Sequence, residues 1–462
     1  MAARDLTQGP VPRLVAVLAV PILVTFGLQT LYALVNLFFV GWLGGPSLAA
    51  LGIVLNTFFL VLALGQSIGA GGLALISQTY GRGERASLPH VFQQVLWLTT
   101  VLGSACWFLG WLLAEPYIRA FTDDPEVIRL GVAFFRVYSA TFFTQVTMIS
   151  LSFSFRGVGD FIVPTALFGG GLLLNLALDP LLIFGLGPVP RLGLLGAAYA
   201  TVTTQGLVVV GYLWLITVSR HSTLLVLRRP FRVDWRLLPR LLRIGLPSGV
   251  QFVLAAGAFM LTYRAIRPFG PDAAAAVTVG FRVMQSATLP AVAIGASVSS
   301  LVGQNYGARN LERVKAALGW GLAYMAGIFS FGAALMILFP AFWVSLFTSE
   351  RGIIVIGADY LFIAAVSLPV YSVGMLTTSV SQGLGRTLAP MLAVGARLGC
   401  FALGLFLVEQ LLGLSLLRVF WVATLAIALE SALMGGVLVY LWRTLLLRLP
   451  AVAGAAPVRP AG

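Results

Sequence analysis

The chain has 462 residues, 59% of them hydrophobic and only 10% charged, and its mean hydropathy is +0.98. No water-soluble globule buries that much apolar side chain, so the composition implies an integral membrane protein. A formal charge of +14 would suggest a polyanionic partner in a soluble protein, but here the basic residues fall in short gaps between apolar runs, where they set topology rather than bind nucleic acid.

A bilayer core of about 30 Å takes about 20 apolar residues per helix, and the chain supplies twelve such runs. The first six are predicted over residues 14–40, 49–78, 91–113, 131–154, 162–185 and 195–218. The second six are predicted over 245–266, 275–303, 317–340, 358–380, 388–412 and 418–442. The first run is long enough to span and is not followed by a small-residue cleavage site, so no removable signal peptide is expected. Cys106 and Cys400 lie inside apolar runs and read as packing residues rather than a disulfide.

The second run of the chain ends in IGAGGLALISQTYG, from Ile68, and the eighth in IGASVSSLVGQNYG, from Ile294. Gln78 and Gln304, Tyr80 and Tyr306, and Gly81 and Gly307 are in register at an offset of 226. The same offset carries Pro21 onto Pro247, Phe121-Thr122 onto Phe347-Thr348, Gly157 and Gly159 onto Gly383 and Gly385, and Pro164 onto Pro390. Matches spread over two halves at one offset mark a duplicated unit. Six spans per repeat is an even number, so the second repeat enters the membrane in the orientation of the first. The predicted fold is an all-α membrane protein of twelve transmembrane helices, in two six-helix lobes related by a pseudo-twofold axis along the membrane normal, with a cavity between them. Residues 1–218 form the first lobe, 219–244 an interlobe linker, 245–443 the second lobe and 444–462 a tail.

Of the 29 basic residues, nineteen fall on the side of the N-terminus and seven (Arg119, Arg129, Arg191, Arg264, Arg267, Arg351 and Arg418) on the other. Loops rich in Arg stay on the cytoplasmic side during insertion, so both termini are expected to face the cytoplasm in a multi-pass protein of the cell membrane. The Arg-rich linker is expected to lie along the membrane surface.

Ionisable side chains inside a span are expensive and therefore informative. Asp179, in NLALDPLLIFG of the fifth span, shares a helix face with Asn175 four residues earlier. Pro180 follows it and frees a backbone carbonyl beside the carboxylate. Asn36 on the first span and Thr201 on the sixth fall at similar depth, and the four oxygen-bearing side chains suit a proton or Na⁺ site. The opposing reading is that Asp179 only caps a kink and bonds neighbouring helices. Glu430 and Arg397 suit an ion pair within the second lobe. Arg282, at the repeat position of Asn56, either faces the cavity or snorkels outward. Gln29, Tyr32, Gln205, Gln251, Met260, Phe281 and Gln285 either line the cavity or glue helices together. Pro21 and Pro180 are candidate hinges. The two histidines, His90 and His221, lie in polar gaps, and no metal-ligand cluster, nucleophile elbow or phosphate loop is present, so neither an enzyme nor a bound cofactor is expected.

The Tyr-Gly turn after the second span of each repeat, the Gly-x-Gly turns FRGVGD and SQGLGR after the fourth, the LDPLLIFG run and GAAYAT from Gly196 to Thr201 together resemble the multidrug and toxic compound extrusion (MATE) family over essentially the whole chain. The resemblance implies secondary active efflux of amphipathic, often cationic drugs or metabolites, driven by inward H⁺ or Na⁺ through alternating access of the two lobes, by a monomer. It also implies a cation site of the first lobe built on acids of spans one and five. Asn36 stands where the family has the first of those acids; Asn can ligate but carries no proton. Ala255 stands where one branch has a Glu in span seven, which favours the first-lobe site of the prokaryotic branch and coupling through one carboxylate. A flippase for lipid-linked oligosaccharide, of the same superfamily, is the alternative. A channel would need rings of like residues, which two lobes do not readily supply.

Overall fold

A computed structural model describes residues 5–185, 190–218 and 232–446. The linker core at 219–231, with His221, and the tail from 447 lie outside the described residues, as does the side chain of Asn36.

The first repeat runs as α1 (Val11–Gly41), α2 (Gly45–Leu55), α3 (Phe58–Gly81), α4 (Leu88–Leu112), the short α5 (Ala114–Arg119), α6 (Pro125–Tyr138), α7 (Ala140–Gly157), α8 (Ile162–Phe184) and α9 (Leu194–Val218). The second runs as α10 (Leu237–Ile266), α11 (Pro271–Gly307), α12 (Leu311–Leu338), the short α13 (Pro340–Ser345), α14 (Arg351–Ala365), α15 (Leu368–Leu384), α16 (Leu388–Leu412) and α17 (Leu416–Leu441). Among the described residues, eleven stretches are long and apolar enough to cross a membrane singly, and the pair α14 and α15, bent by 57°, makes the twelfth. The fourth span of each repeat is broken near the same repeat position, at Ser139 and at Val366-Ser367. The serine hydroxyls bond Arg136 O at 2.9 Å and Ala364 O at 2.8 Å, competing with the helical backbone. Span two breaks at Asn56-Thr57, where the Thr57 hydroxyl donates to Val54 O at 2.7 Å.

Helices begin earlier than hydropathy indicates. The seventh starts at Leu237 rather than 245, so Arg240 and Arg243, read as linker, belong to its first turns. The reason is amphipathicity: Leu238, Leu241 and Ile244 are buried while Arg236, Arg240 and Arg243 are exposed, a 3.6-residue pattern whose arginines depress the local mean hydropathy.

Lipid supplies little hydrophobic drive between helices, so close packing of small residues holds the bundle together. The two echoing stretches do this. In α3, Ser67, Gly69, Ala70, Gly71, Gly72, Ala74 and Ser77 are buried; in α11, Ala291, Ala293, Gly295, Ser297, Ser299, Ser300 and Gly303 are buried. These two helices lie at the centre, each packed on helices of its own repeat and on the other.

The first helix of each repeat crosses between lobes. The leading half of α1 (Val11, Leu14, Val15, Leu18, Ala19, Ile22) is buried in the core of the second repeat, and the leading half of α10 (Leu238, Leu241, Ile244) in the core of the first. Past Pro21, α1 returns to its own lobe: the Thr25 and Thr165 hydroxyls meet at 2.9 Å and both reach Pro21 O. Past Pro247, α10 does likewise, with Gln251 Nε2 donating to Thr378 Oγ1 at 3.4 Å.

Candidate functional site

Where the two central helices end, the repeat produces a matched pair of contacts across the lobes. Gln78 Nε2 donates to Gly383 O at 3.0 Å and Gln304 Nε2 to Gly157 O at 2.9 Å. A Cβ on Gly81 would lie 1.9 Å from Gln304 O, and one on Gly307 would lie 2.2 Å from Gln78 O, so both positions require glycine for the backbones to meet. The N-terminal segment then seals one side. Leu6 N–H donates to Gln304 Oε1 at 3.0 Å, Asn305 donates to Leu6 O at 3.1 Å, and the Arg313 guanidinium donates to the carbonyls of Leu6, Gln8 and Gly9. The sequence put the two glutamines in register but offered no sign of their partners, which lie on other helices.

In the first lobe, Asp179 and Asn175 are fully buried on α8. Asn175 Nδ2 donates to Asp179 Oδ1 at 3.4 Å, while Asp179 Oδ2 has no hydrogen-bond partner among the described residues. Pro180, within α8, has no N–H to return to the carbonyl four residues back. α8 packs on both α1 and α9, and these are joined by the Tyr32 hydroxyl donating to Thr201 Oγ1 at 3.2 Å. Thr201 also bonds Ala197 O, and Thr204 bonds Thr201 O. Asp179 lies five residues from Phe184, about 8 Å at the helical rise, and Thr201 seven residues from Leu194, about 10 Å. An ionised carboxylate buried without a counter-charge is costly, so this arrangement suits a proton on Asp179 or a small cation among its oxygens.

The cavity candidates divide. Gln205 accepts from Thr144 at 2.7 Å and Gln251 donates to Thr378, so both join helices within a lobe. Gln29, Met260, Phe281, Arg282 and Gln285 are exposed, Met260 at 72%. Arg282 lies eleven residues into α11, about 16 Å along it, and makes no ion pair among the described residues. A guanidinium facing lipid at that depth is expensive; one facing a water-filled cleft is not. In the second lobe, Arg397 Nη1 donates to Glu430 Oε2 at 2.9 Å, with Tyr371 against the guanidinium. That pair is internally satisfied.

The family model described as MatE matches residues 21–181 and again 247–406. The chain belongs to the MatE family. The two matched segments begin 226 residues apart, the offset of the internal repeat. As a MatE protein it is a multi-pass membrane transporter, not an enzyme. It is 27% identical over 442 residues, 93% of this chain and 94% of the relative, to the probable multidrug resistance protein YoeA of Bacillus subtilis strain 168. It is 24% identical over 326 residues, 68% of this chain and 69% of the relative, to an FAD transporter of Shewanella oneidensis. Its fold superposes with a TM-score of 0.88 on a MATE crystal structure described as the bent conformation, at 24% identity, over 95% of this chain and 98% of that one.

Proposed function

We propose that this MatE protein is a multidrug efflux transporter that exchanges inward-moving H⁺ or Na⁺ for amphipathic compounds by alternating access, with Asp179 as the coupling carboxylate. The observation that carries the reading is the buried Asp179 carboxyl, which has one oxygen without a partner among the described residues, in the lobe that the trailing half of α1 rejoins. Loading a proton or cation there changes what α8 presents to α1, and Pro21 gives α1 a place to bend. Asn175, Thr201 and Asn36 are the remaining oxygen donors of the proposed site. The names of relatives, multidrug resistance for one and FAD for another, support a broad substrate range, and an unpaired Arg282 in the cleft suits anionic as well as cationic amphiphiles.

With both termini cytoplasmic, the orientation the arginine distribution supports, the matched Gln–Gly contacts close the cytoplasmic end and the cleft opens outward. The test is transport of a panel of cationic and anionic dyes by the protein in proteoliposomes under separately imposed pH and Na⁺ gradients. One gradient is expected to drive transport by the wild type and to fail with Asp179→Asn, which retains uncoupled equilibration. Equal gradient-driven rates for wild type and Asp179→Asn would move coupling elsewhere.

A further inference from the structure

A cavity of about 1020 Å³ opens between α10, α16 and α17 at the end of the bundle that bears the Gln–Gly contacts. Arg240, Arg243 and Arg386 line it, and all three are exposed with no ion pair among the described residues. Its walls include Leu388, Leu392 and Tyr440, which are 57%, 60% and 60% exposed. A cluster of like charges over an uncovered apolar wall, in a protein that sits in a bilayer, matches a ligand with an anionic head and hydrocarbon chains.

The internal repeat supplies a built-in comparison. At the offset of 226, Arg240, Arg243 and Arg386 correspond to Leu14, Val17 and Asp160. The same fold position therefore accepts two apolar residues and an acid, so the fold itself does not call for the arginines. Leu14 is buried against the second repeat and Asp160 caps the start of α8 by accepting from Ile162 and Val163 N–H; the three arginines have no such structural task.

We propose that this groove binds an anionic phospholipid of the adjoining leaflet, the phosphate held by Arg240, Arg243 and Arg386 and an acyl chain lying on Leu388, Leu392 and Tyr440. The charge complementarity and the open apolar wall favour a lipid over a soluble anion, which would leave the wall bare.

Native mass spectrometry of the full-length protein, in micelles doped with equimolar dioleoylphosphatidylglycerol and dioleoylphosphatidylcholine, tests this. The wild type is expected to retain phosphatidylglycerol about tenfold over phosphatidylcholine, and Arg240→Gln/Arg243→Gln/Arg386→Gln to retain the two equally. Leu392→Trp, which fills the apolar wall and keeps every charge, is expected to lose the preference as well. Arg13→Gln/Arg82→Gln/Arg309→Gln, which removes the same charge at the same end outside the groove, is expected to keep it. Loss of preference in both triple variants would reduce the effect to net charge. Survival of the preference in the groove triple variant would overturn the proposal. Equal displacement of the lipid by inorganic phosphate at matched concentration would make the site one for a soluble anion and also overturn it.

Discussion

Asp179 and the Arg397–Glu430 pair are both ionisable groups inside the membrane, but among the described residues one is paired and the other is not. Glu430 has its charge answered at 2.9 Å, so removing one partner leaves the other buried and uncompensated. Glu430→Gln is expected to destabilise the protein by about 3–5 kcal/mol, seen as a lower melting temperature in detergent, whereas Glu430→Gln/Arg397→Met recovers most of the loss. Asp179 has no such partner among the described residues, and Asn175 can bond an amide as readily as an acid. Asp179→Asn is expected to change stability by less than about 1 kcal/mol while abolishing gradient-driven transport, so the two assays separate its structural role from its coupling role. Asn36→Asp is expected to shift the pH optimum of transport by adding a second titratable group; an unchanged optimum would remove Asn36 from the site. The sequence revealed Asp179 and Asn175 because their relation is local, four residues on one helix. It did not reveal what Gln78 and Gln304 do, because each bonds a carbonyl that the sequence separates from it by 305 and 147 residues.

At the scale of helices, the ends of α3 and α11 form the closed end of the protein. Gln78→Leu/Gln304→Leu removes three hydrogen bonds and leaves Gly157 O, Gly383 O and Leu6 N–H without those partners, at about 1–3 kcal/mol each. The closed state should lose population accordingly. Spin labels at the exposed Arg82 and Arg309, with Cys106 and Cys400 replaced by Ala, are expected to show a longer-distance component in the double variant that is minor in the parent. The start of α10 is held by a different device. Asp234 Oδ1 accepts from the Arg236 and Leu237 N–H groups, and Oδ2 meets His90 Nε2 at 3.1 Å. The His90 hydrogen bond first, then the Arg236 N–H, hold the Asp234 carboxyl below the usual carboxylate range. A carboxyl depressed in the folded state contributes stability above its unfolded value and loses it as pH falls through the folded one. The melting temperature is therefore expected to fall below the ordinary carboxylate range by more in the wild type than in Asp234→Asn; parallel curves would show that the contact carries no stability. Hydropathy missed this segment because its arginines mask an apolar stripe that only helical periodicity brings out.

At the scale of the whole molecule, twelve spans and the duplicated six-helix unit were legible because apolar run length and a constant offset survive any detail of packing. The crossing of α1 and α10 into the opposite lobe was not, since an apolar stripe on a helix does not say which core receives it and only the three-dimensional arrangement decides. If the lobes alternate as proposed, the crossing makes the two sets of contacts inequivalent. Contacts of α3 with α11 join helices that belong wholly to different lobes and must part when the closed end opens. Contacts of α3 with the leading half of α10 join segments that share one core on the same side of Pro247, so they can stay together while α10 bends. A Cβ on Gly303 would lie 2.8 Å from the Ser77 Cβ, within disulfide reach after a shift of about 1 Å. In a background lacking Cys106 and Cys400, oxidising Ser77→Cys/Gly303→Cys is expected to stop transport and reductant to restore it. Transport that continues with the bridge formed would show that the Gln–Gly end does not open during the cycle.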